Sequence, residues 1–429
     1  YYRALLRNKK ARLESSLGNY SAAEVTLSQA FRICRDTGIQ SEMSNSLVIS
    51  GNIAVQQGHF VDAESYYSKA LKITEKLNRQ VDQTVPKRML ARLYRVTGQP
   101  NKSRDLLNEI TLNLSNRLNT PNGLTVLIES GFLELDNSRY TPALRLFTQA
   151  CRSINGMKGH RDEAWARYGL AMTYWRLNHL PRMKQNLLRA RNVAAETQNK
   201  ILLGWILLLE ARLERLDRNR AGFEKNLDES EKIFTQCRCK PGQLSAKELR
   251  LRDLIDKDLS EETWKKATSL WNAVREIGAW RQLIDVAITV CRLGVRRANY
   301  RQVAGVLDAT IGLARQKGSK EELWRLFRIR AQSQAEQGFS ASSRESLISA
   351  MGIVGEVVRD IRSPILKRSY RSRYDVRHIK SNLTKLEKSL GRGGHVVLPS
   401  LDSEGSAELE KAFKFTSEHN RLLRQAVIK

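Results

Sequence analysis

Nothing in this sequence is arranged for chemistry. Its six histidines, His59, His160, His179, His378, His395 and His419, are scattered along the chain. None has a carboxylate partner arranged for a triad, no zinc-ligand spacing occurs, and no phosphate-binding loop is present. Gly391-x-Gly393-Gly394 comes nearest to a glycine loop, yet it lacks the flanking strand and helix of a dinucleotide site. The acid pairs Glu261-Glu262 and Glu321-Glu322 precede helical stretches, where they complement the positive helix end. No catalytic residue and no cofactor are therefore expected.

Cysteine is too sparse to build a metal centre or a disulfide framework. Of the five, Cys34, Cys151 and Cys291 fall in helical core patterns, and Cys237-Arg238-Cys239 is the only cluster. A metal there would need two further ligands, and none stands nearby; a reducing cytoplasm fits this usage. Long apolar runs are also missing. The stretch from Ile201 to Leu209 is too short to span a bilayer and reads as a helix buried on nearly all sides. No signal peptide opens the chain, which starts at Tyr1 without methionine, so it is read as a segment of something longer.

What is present is a repeat. Gly18-Asn19-Tyr20-x-x-Ala23-x-x-x-Leu27-x-x-Ala30 returns as Gly58-His59-Phe60-x-x-Ala63-x-x-x-Tyr67-x-x-Ala70. It returns again from Gly98, with Leu107 and Ile110, and as Ser138-Arg139-Tyr140 with Ala143, Phe147 and Ala150. The displacement is about 40 residues, in the range that signals a solenoid. The same frame reaches Asn178, Arg218, Asp258, Ala298 and Gly338 without an insertion, although the copy at Asp258 keeps only Thr263, Ala267 and Leu270. Small residues precede the turn position by seven: Ala11, Gly51, Ala91, Gly131, Ala171, Ala211, Cys291 and Ala331. Each unit thus reads as two helices joined by a tight turn, the turn residue taking the left-handed conformation that ends a helix.

On these residues the sequence resembles the tetratricopeptide-repeat family, whose unit is usually 34 residues. The longer spacing suggests helices about one and a half turns longer, a variant found in large bacterial kinase-linked and nucleotide-switch (STAND-type) regulators. The resemblance implies an all-α, right-handed superhelical solenoid of antiparallel helix pairs over residues 1–360, with 240–270 degenerate, and a non-catalytic binding scaffold. Capping helices are expected over 361–390, from the run Ile361-Arg362-Ser363-Pro364 onward. A flexible linker should follow over 391–406, then an amphipathic helix over 407–429 leading to a downstream region.

Charge is one-sided. Lysine and arginine total 73 against 45 acids, a formal net charge of +28, large enough to imply an acidic partner or neighbour. In the resembled family the first helix of each unit lines the concave groove. The residue after the small position should face it, and here it is Arg12, Arg92, Arg212, Arg252 or Arg292. Arg88, Arg95, Arg215 and Arg296 widen the same stripe, and Asn52, Phe132, Met172 and Gln332 interrupt it. Two readings stay open. Arginines there can simply solubilise a helix face with their stems, or they can grip carboxylates or phosphates through bidentate contacts. The expected partner is a protein or acidic peptide segment, or another domain of the same parent chain. The alternative is nucleic acid, for which the aromatic platforms that bases stack on are few, Trp175 being one candidate. No membrane partner is expected. In the tail, Leu409, Phe413, Leu422 and Leu423 form an apolar stripe expected to dock on the repeats or to pair two copies.

Overall fold

The computed structural model describes residues 1–77, 80–114, 120–154 and 161–390, and among them all regular structure is helical. Nine helix pairs follow one another. Tyr2–Ser16 pairs with Tyr20–Thr37, Gln40–Gln57 with Phe60–Lys76, and Gln80–Val96 with Pro100–Leu114. Pro121–Asp136 pairs with Tyr140–Ser153, Arg161–Arg176 with Leu180–Glu196, and Lys200–Leu216 with Arg220–Gln236. Lys240–Leu254 pairs with Glu261–Ile277, Trp280–Arg296 with Tyr300–Gln316, and Lys320–Glu336 with Ser340–Asp360. A short helix, Pro364–Arg371, and a full-length one, Tyr374–Leu390, close the described array. The tail residues Leu409, Phe413, Leu422 and Leu423 lie outside the described residues.

The turns explain the period. Gly18, Gly58, Gly98, Ser138, Asn178, Arg218, Ala298 and Gly338 all have positive φ, and so do Gly38, Gln198, Arg238, Gly278 and Gly318 between the units. The 40-residue frame is thus two similar halves, each a helix stopped by a left-handed residue. At Gly58 the next amide, His59 N–H, reaches back 2.8 Å to the Ala54 carbonyl and satisfies an orphan acceptor of the helix end. Position 258 departs from the frame: the helix stops at Leu254 instead. Asp258 accepts from the Ser260 amide and hydroxyl, each at 2.8 Å, and from the Thr263 hydroxyl, so it braces the start of the next helix.

Packing within a unit is a volume exchange. The small residue of the first helix faces a position 16 further on, and the two compensate. Where the first is alanine or cysteine the second is leucine: Ala11 with Leu27, Ala91 with Leu107, Ala211 with Leu227, Cys291 with Leu307, all buried. Where it is glycine the second is aromatic, because a Cβ on Gly51 would come within 2.4 Å of the Tyr67 ring and one on Gly131 within 2.7 Å of the Phe147 ring. The degenerate unit reverses the exchange, with Leu251 and Ala267 buried in one cluster. Total volume is kept, which is what a close-packed interior requires.

The array coils until it meets itself. A Cβ on Gly18 would fall 2.5 Å from Cys237 Cα, one on Gly58 3.1 Å from Ile277, and one on Gly98 2.7 Å from the Lys317 side chain. Thr141 Oγ1 donates to the Asp360 carbonyl across a separation of 219 residues, and the other three contacts share that separation. One revolution of the superhelix therefore brings the lower turns of the first units against the upper turns of the later ones. Tyr20 Oη donates to the Cys237 carbonyl at 2.5 Å and Trp280 Nε1 to the Arg95 carbonyl at 2.8 Å along this seam.

The capping segment ends the seam. Ser363 caps Pro364–Arg371 by accepting from the Leu366 amide, with proline at the tolerated first position. Arg373 binds Asp375, the Arg176 carbonyl and Glu321, tying the cap to two earlier units. Burial opposes ionisation of Asp375, but Arg373, Arg328 and Arg325 outweigh it and hold the carboxyl at about 2. Burial likewise opposes ionisation of Glu322, which Arg176 and Arg281 bring down to about 2. Folded values below the unfolded ones of 3.8 and 4.5 stabilise the fold fully above about pH 5, and that stabilisation is lost as pH falls toward 2. Circular dichroism and hydrogen exchange between pH 6 and 2.5 should show residues 361–390 loosening before the first units do. Uniform loosening along the array would contradict this assignment.

Candidate functional site

The inner wall of the superhelix is built from the first helices. Each packs on the first helix of the next unit along the whole array, while consecutive second helices do not pack on one another to a comparable degree. The curvature thus places first helices on the inside. All nine arginines that the repeat frame singles out stand on these first helices.

These arginines divide by what they touch. Arg95 is 2.9 Å from Asp136 and 3.5 Å from Glu129, over the Phe132 ring at 5.3 Å. Arg252 donates through Nε to Glu248 at 2.9 Å, and Arg212 approaches the same carboxylate at 4.0 Å. Arg215 holds Asp256, with Asp253 at 3.9 Å, and Arg292 lies 3.7 Å from Asp256. Arg296 donates to the Ile255 carbonyl. Five of the nine, Arg95, Arg212, Arg215, Arg292 and Arg296, thus reach across to a neighbouring unit, while Arg252 holds Glu248 on its own helix. The partners of those five sit on adjacent units, 34 to 41 residues away, where no local pattern announces them.

The remaining three converge with a fourth. Arg12 is exposed, Arg88 is half-buried, and Arg92 sits over the Trp165 ring at 5.7 Å with Glu129 at 3.8 Å. Arg161, four units along from Arg12, joins them. Its guanidinium is pushed below the usual range by burial, and the charges of Arg12 and Arg92 lower it further against the pull of Asp162. Burial also lowers Arg88, with Arg92 adding to it and Glu129 and Asp162 opposing. Groups from helices Tyr2–Ser16, Gln80–Val96 and Arg161–Arg176 therefore lie near enough to influence one another in one strongly positive region. Among the described residues, Arg12, Arg88 and Arg161 make no ion pair, and Arg88 Nε is buried without an acceptor.

A second positive point lies deeper. Arg325 is lowered by burial and by Arg252 and Arg176, with Asp375 and Glu321 opposing. It occupies the same column of its first helix as Trp165 and Trp205. Following every inward column, and not only the residue after the small one, would have found both Arg161's neighbourhood and Arg325. Trp175 packs half-buried against the main core.

Chemically, a region of this charge suits anions. No group of three potential metal ligands occurs among the described residues. Burial pushes the Cys291 and Cys239 thiols upward, which makes them poor nucleophiles. His179 accepts from the Arg182 amide at its helix start, and burial lowers it. No described helix is long and apolar enough to cross a membrane.

No protein-family model matches the sequence, and no curated protein matches it. Among solved structures the chain is similar to a Rap protein crystallised with Competence and Sporulation Factor. That likeness has a TM-score of 0.50 at 13% identity, over 82% of this chain and 99% of that one. Yeast Tom70 aligns at a TM-score of 0.38 and 12% identity, over 90% of this chain and 82% of that one. At such identity the first likeness concerns the fold alone, a tetratricopeptide-like solenoid, and the second carries no argument.

Proposed function

We propose that this chain is a non-catalytic binding scaffold, a regulatory array within a larger signalling protein, that takes an acidic protein segment into its interior. The observation that carries this reading is that Arg12, Arg88 and Arg161, among the described residues, stand in no ion pair, with Arg88 Nε buried without an acceptor and Arg92 sharing only Glu129 at 3.8 Å, while their charges bear on one another. Unpaired guanidinium groups inside protein walls stay weakly solvated and planar, so a carboxylate side chain gains charge-assisted, bidentate contacts there. The Rap protein of similar fold was crystallised with a bound factor, which fits a solenoid of this architecture acting as a receptor. The larger parent, of the kinase-linked or nucleotide-switch kind, and a cytoplasmic setting belong to the same reading.

A fluorescein-labelled peptide rich in glutamate and aspartate tests it by anisotropy. The double variant Arg88→Ala/Arg161→Ala should bind at least tenfold more weakly, since each charge-assisted bond contributes about 1.5–3 kcal/mol. Its melting temperature should be unchanged or slightly raised, because like charges have been removed. Unchanged affinity in the variant would sink the proposal. So would displacement of the peptide by a single-stranded oligonucleotide that binds more tightly at physiological salt, which would favour the nucleic-acid reading.

A further inference from the structure

The seam carries a second basic feature, separate from the interior. Where the turn at Gly98 meets the turn at Gly318 there is a cleft of about 500 Å³. One side comes from the segment 98–104 with Asn137 and Arg139, the other from 315–320 with Asp360, one revolution later. Six cations line it: Lys102, Arg104, Arg139, Arg315, Lys317 and Lys320, against the single acid Asp360.

Only two of those cations are neutralised. Lys320 lies 3.0 Å from Glu356 and 3.8 Å from Asp360, and Arg139 lies 3.0 Å from Glu134. Lys102 rests over the Tyr94 ring and Arg315 over the Phe327 ring. Among the described residues, Lys102, Arg104, Arg315 and Lys317 have no carboxylate within ion-pair distance. Two buried donors also lack an acceptor: Arg104 Nε and Asn137 Nδ2. Lys317 cannot swing away freely, because its stem is wedged against Gly98, and burial lowers its ammonium. Like charges gathered in one cleft from two separate turns repel, and salt screens them only beyond about 8 Å. Orphan donors and uncompensated cations in one concavity call for the same ligand, an anion with several acceptor oxygens.

We propose that this cleft binds a compact polyphosphorylated anion, which bridges successive turns of the superhelix and locks the seam. A phosphate cluster matches guanidinium forks and ammonium points together, and the cleft is too small for a folded partner. Binding turns the repulsion across the seam into a cross-link, so the closed superhelix becomes dependent on ligand. The device is independent of the interior arginines: the two could act in concert, but neither requires the other.

Titration calorimetry with inositol hexakisphosphate and with tripolyphosphate, at ionic strength matched by sodium sulfate, tests the site. The expected result is saturable one-to-one binding, a raised melting temperature, and slower hydrogen exchange over 97–104 and 315–319. Lys102→Gln/Arg315→Gln, at two exposed positions without ion pairs, should weaken binding at least tenfold, while Arg12→Gln leaves it unchanged. Equal stabilisation by sulfate with no saturation would overturn the proposal, as would full binding by the Lys102→Gln/Arg315→Gln variant or loss of binding in Arg12→Gln. Sedimentation with vesicles containing phosphatidylinositol bisphosphate, if abolished by the same pair of substitutions, would support the site with a lipid headgroup as its source.

Discussion

Replacing Glu321 by alanine is expected to release the capping segment and to cost about 3–5 kcal/mol, the range for removing one partner from a buried ionic network. Glu321 is 2% exposed. Its carboxylate accepts from Tyr140 Oη at 2.9 Å, Tyr370 Oη at 2.8 Å and Arg373 at 2.6 Å, and its amide donates to Ser138 Oγ at 3.0 Å. Arg176 approaches at 4.0 Å. One carboxylate thus joins a first-revolution turn, a second-revolution helix and the cap. Its removal leaves two hydroxyls without their acceptor and two buried guanidinium groups with fewer counter-charges, which is why the loss exceeds that of an ordinary hydrogen bond. Tyr370→Phe should cost less, about 1–2 kcal/mol, since it removes a hydroxyl that donates to Glu321 and accepts from Trp324 Nε1 but leaves the charges paired and Glu321 still 3.4 Å from that indole nitrogen. Hydrogen exchange by mass spectrometry reads the outcome locally, which suits an array whose units need not unfold together. Protection should fall first over 364–390 and 138–143 in Glu321→Ala. Equal effects of the two substitutions would mean that the carboxylate is not the joint.

Gly18→Ala is expected to open the seam, and Gly38→Ala to leave it shut. Both glycines have positive φ, +82° and +70°, so alanine pays a similar backbone strain at either position, about 1–2 kcal/mol. They differ in surroundings. A Cβ on Gly38 meets nothing within 4 Å, whereas one on Gly18 would lie 2.4 Å from the Gln236 carbonyl oxygen and 2.5 Å from Cys237 Cα. Those neighbours are backbone and cannot rotate away, so one of the two turns has to move, at a further cost of about 1–3 kcal/mol. Faster exchange over 233–240 in Gly18→Ala alone is the signature. The same change in both variants would show that strain in the turn, and not contact across the seam, controls that region.

The unit was legible in the sequence for a local reason. A helix end needs a left-handed residue, a close helix crossing needs a small one, and both demands recur within a few residues of each other. Even the copy at Asp258, which loses the turn residue, keeps Ala267 and Leu270, because packing still has to be satisfied there. The exchange of Leu251 for Ala267 shows why that copy looks degenerate while the volume is conserved. The shared column of Arg92, Arg212, Arg252 and Arg292 on the first helices was legible too, since the repeat period fixes it.

What the sequence could not supply is everything that depends on the sum of many small rotations between units. No residue encodes the 219-residue separation at which the coil meets itself; it accumulates over several interfaces, each only slightly bent. That closure decides which turn needs glycine for space as well as for φ, as Gly18 does and Gly38 does not. It also decides that Glu321, read from the chain as one of a pair of acids near a helix start, is the joint of three segments. It separates arginines consumed by carboxylates on the next unit, such as Arg95 and Arg215, from those left facing open space, such as Arg88 and Arg161. Local order follows from residue chemistry within a turn or two of helix, whereas the charge left available for a partner depends on distances set by the whole superhelix.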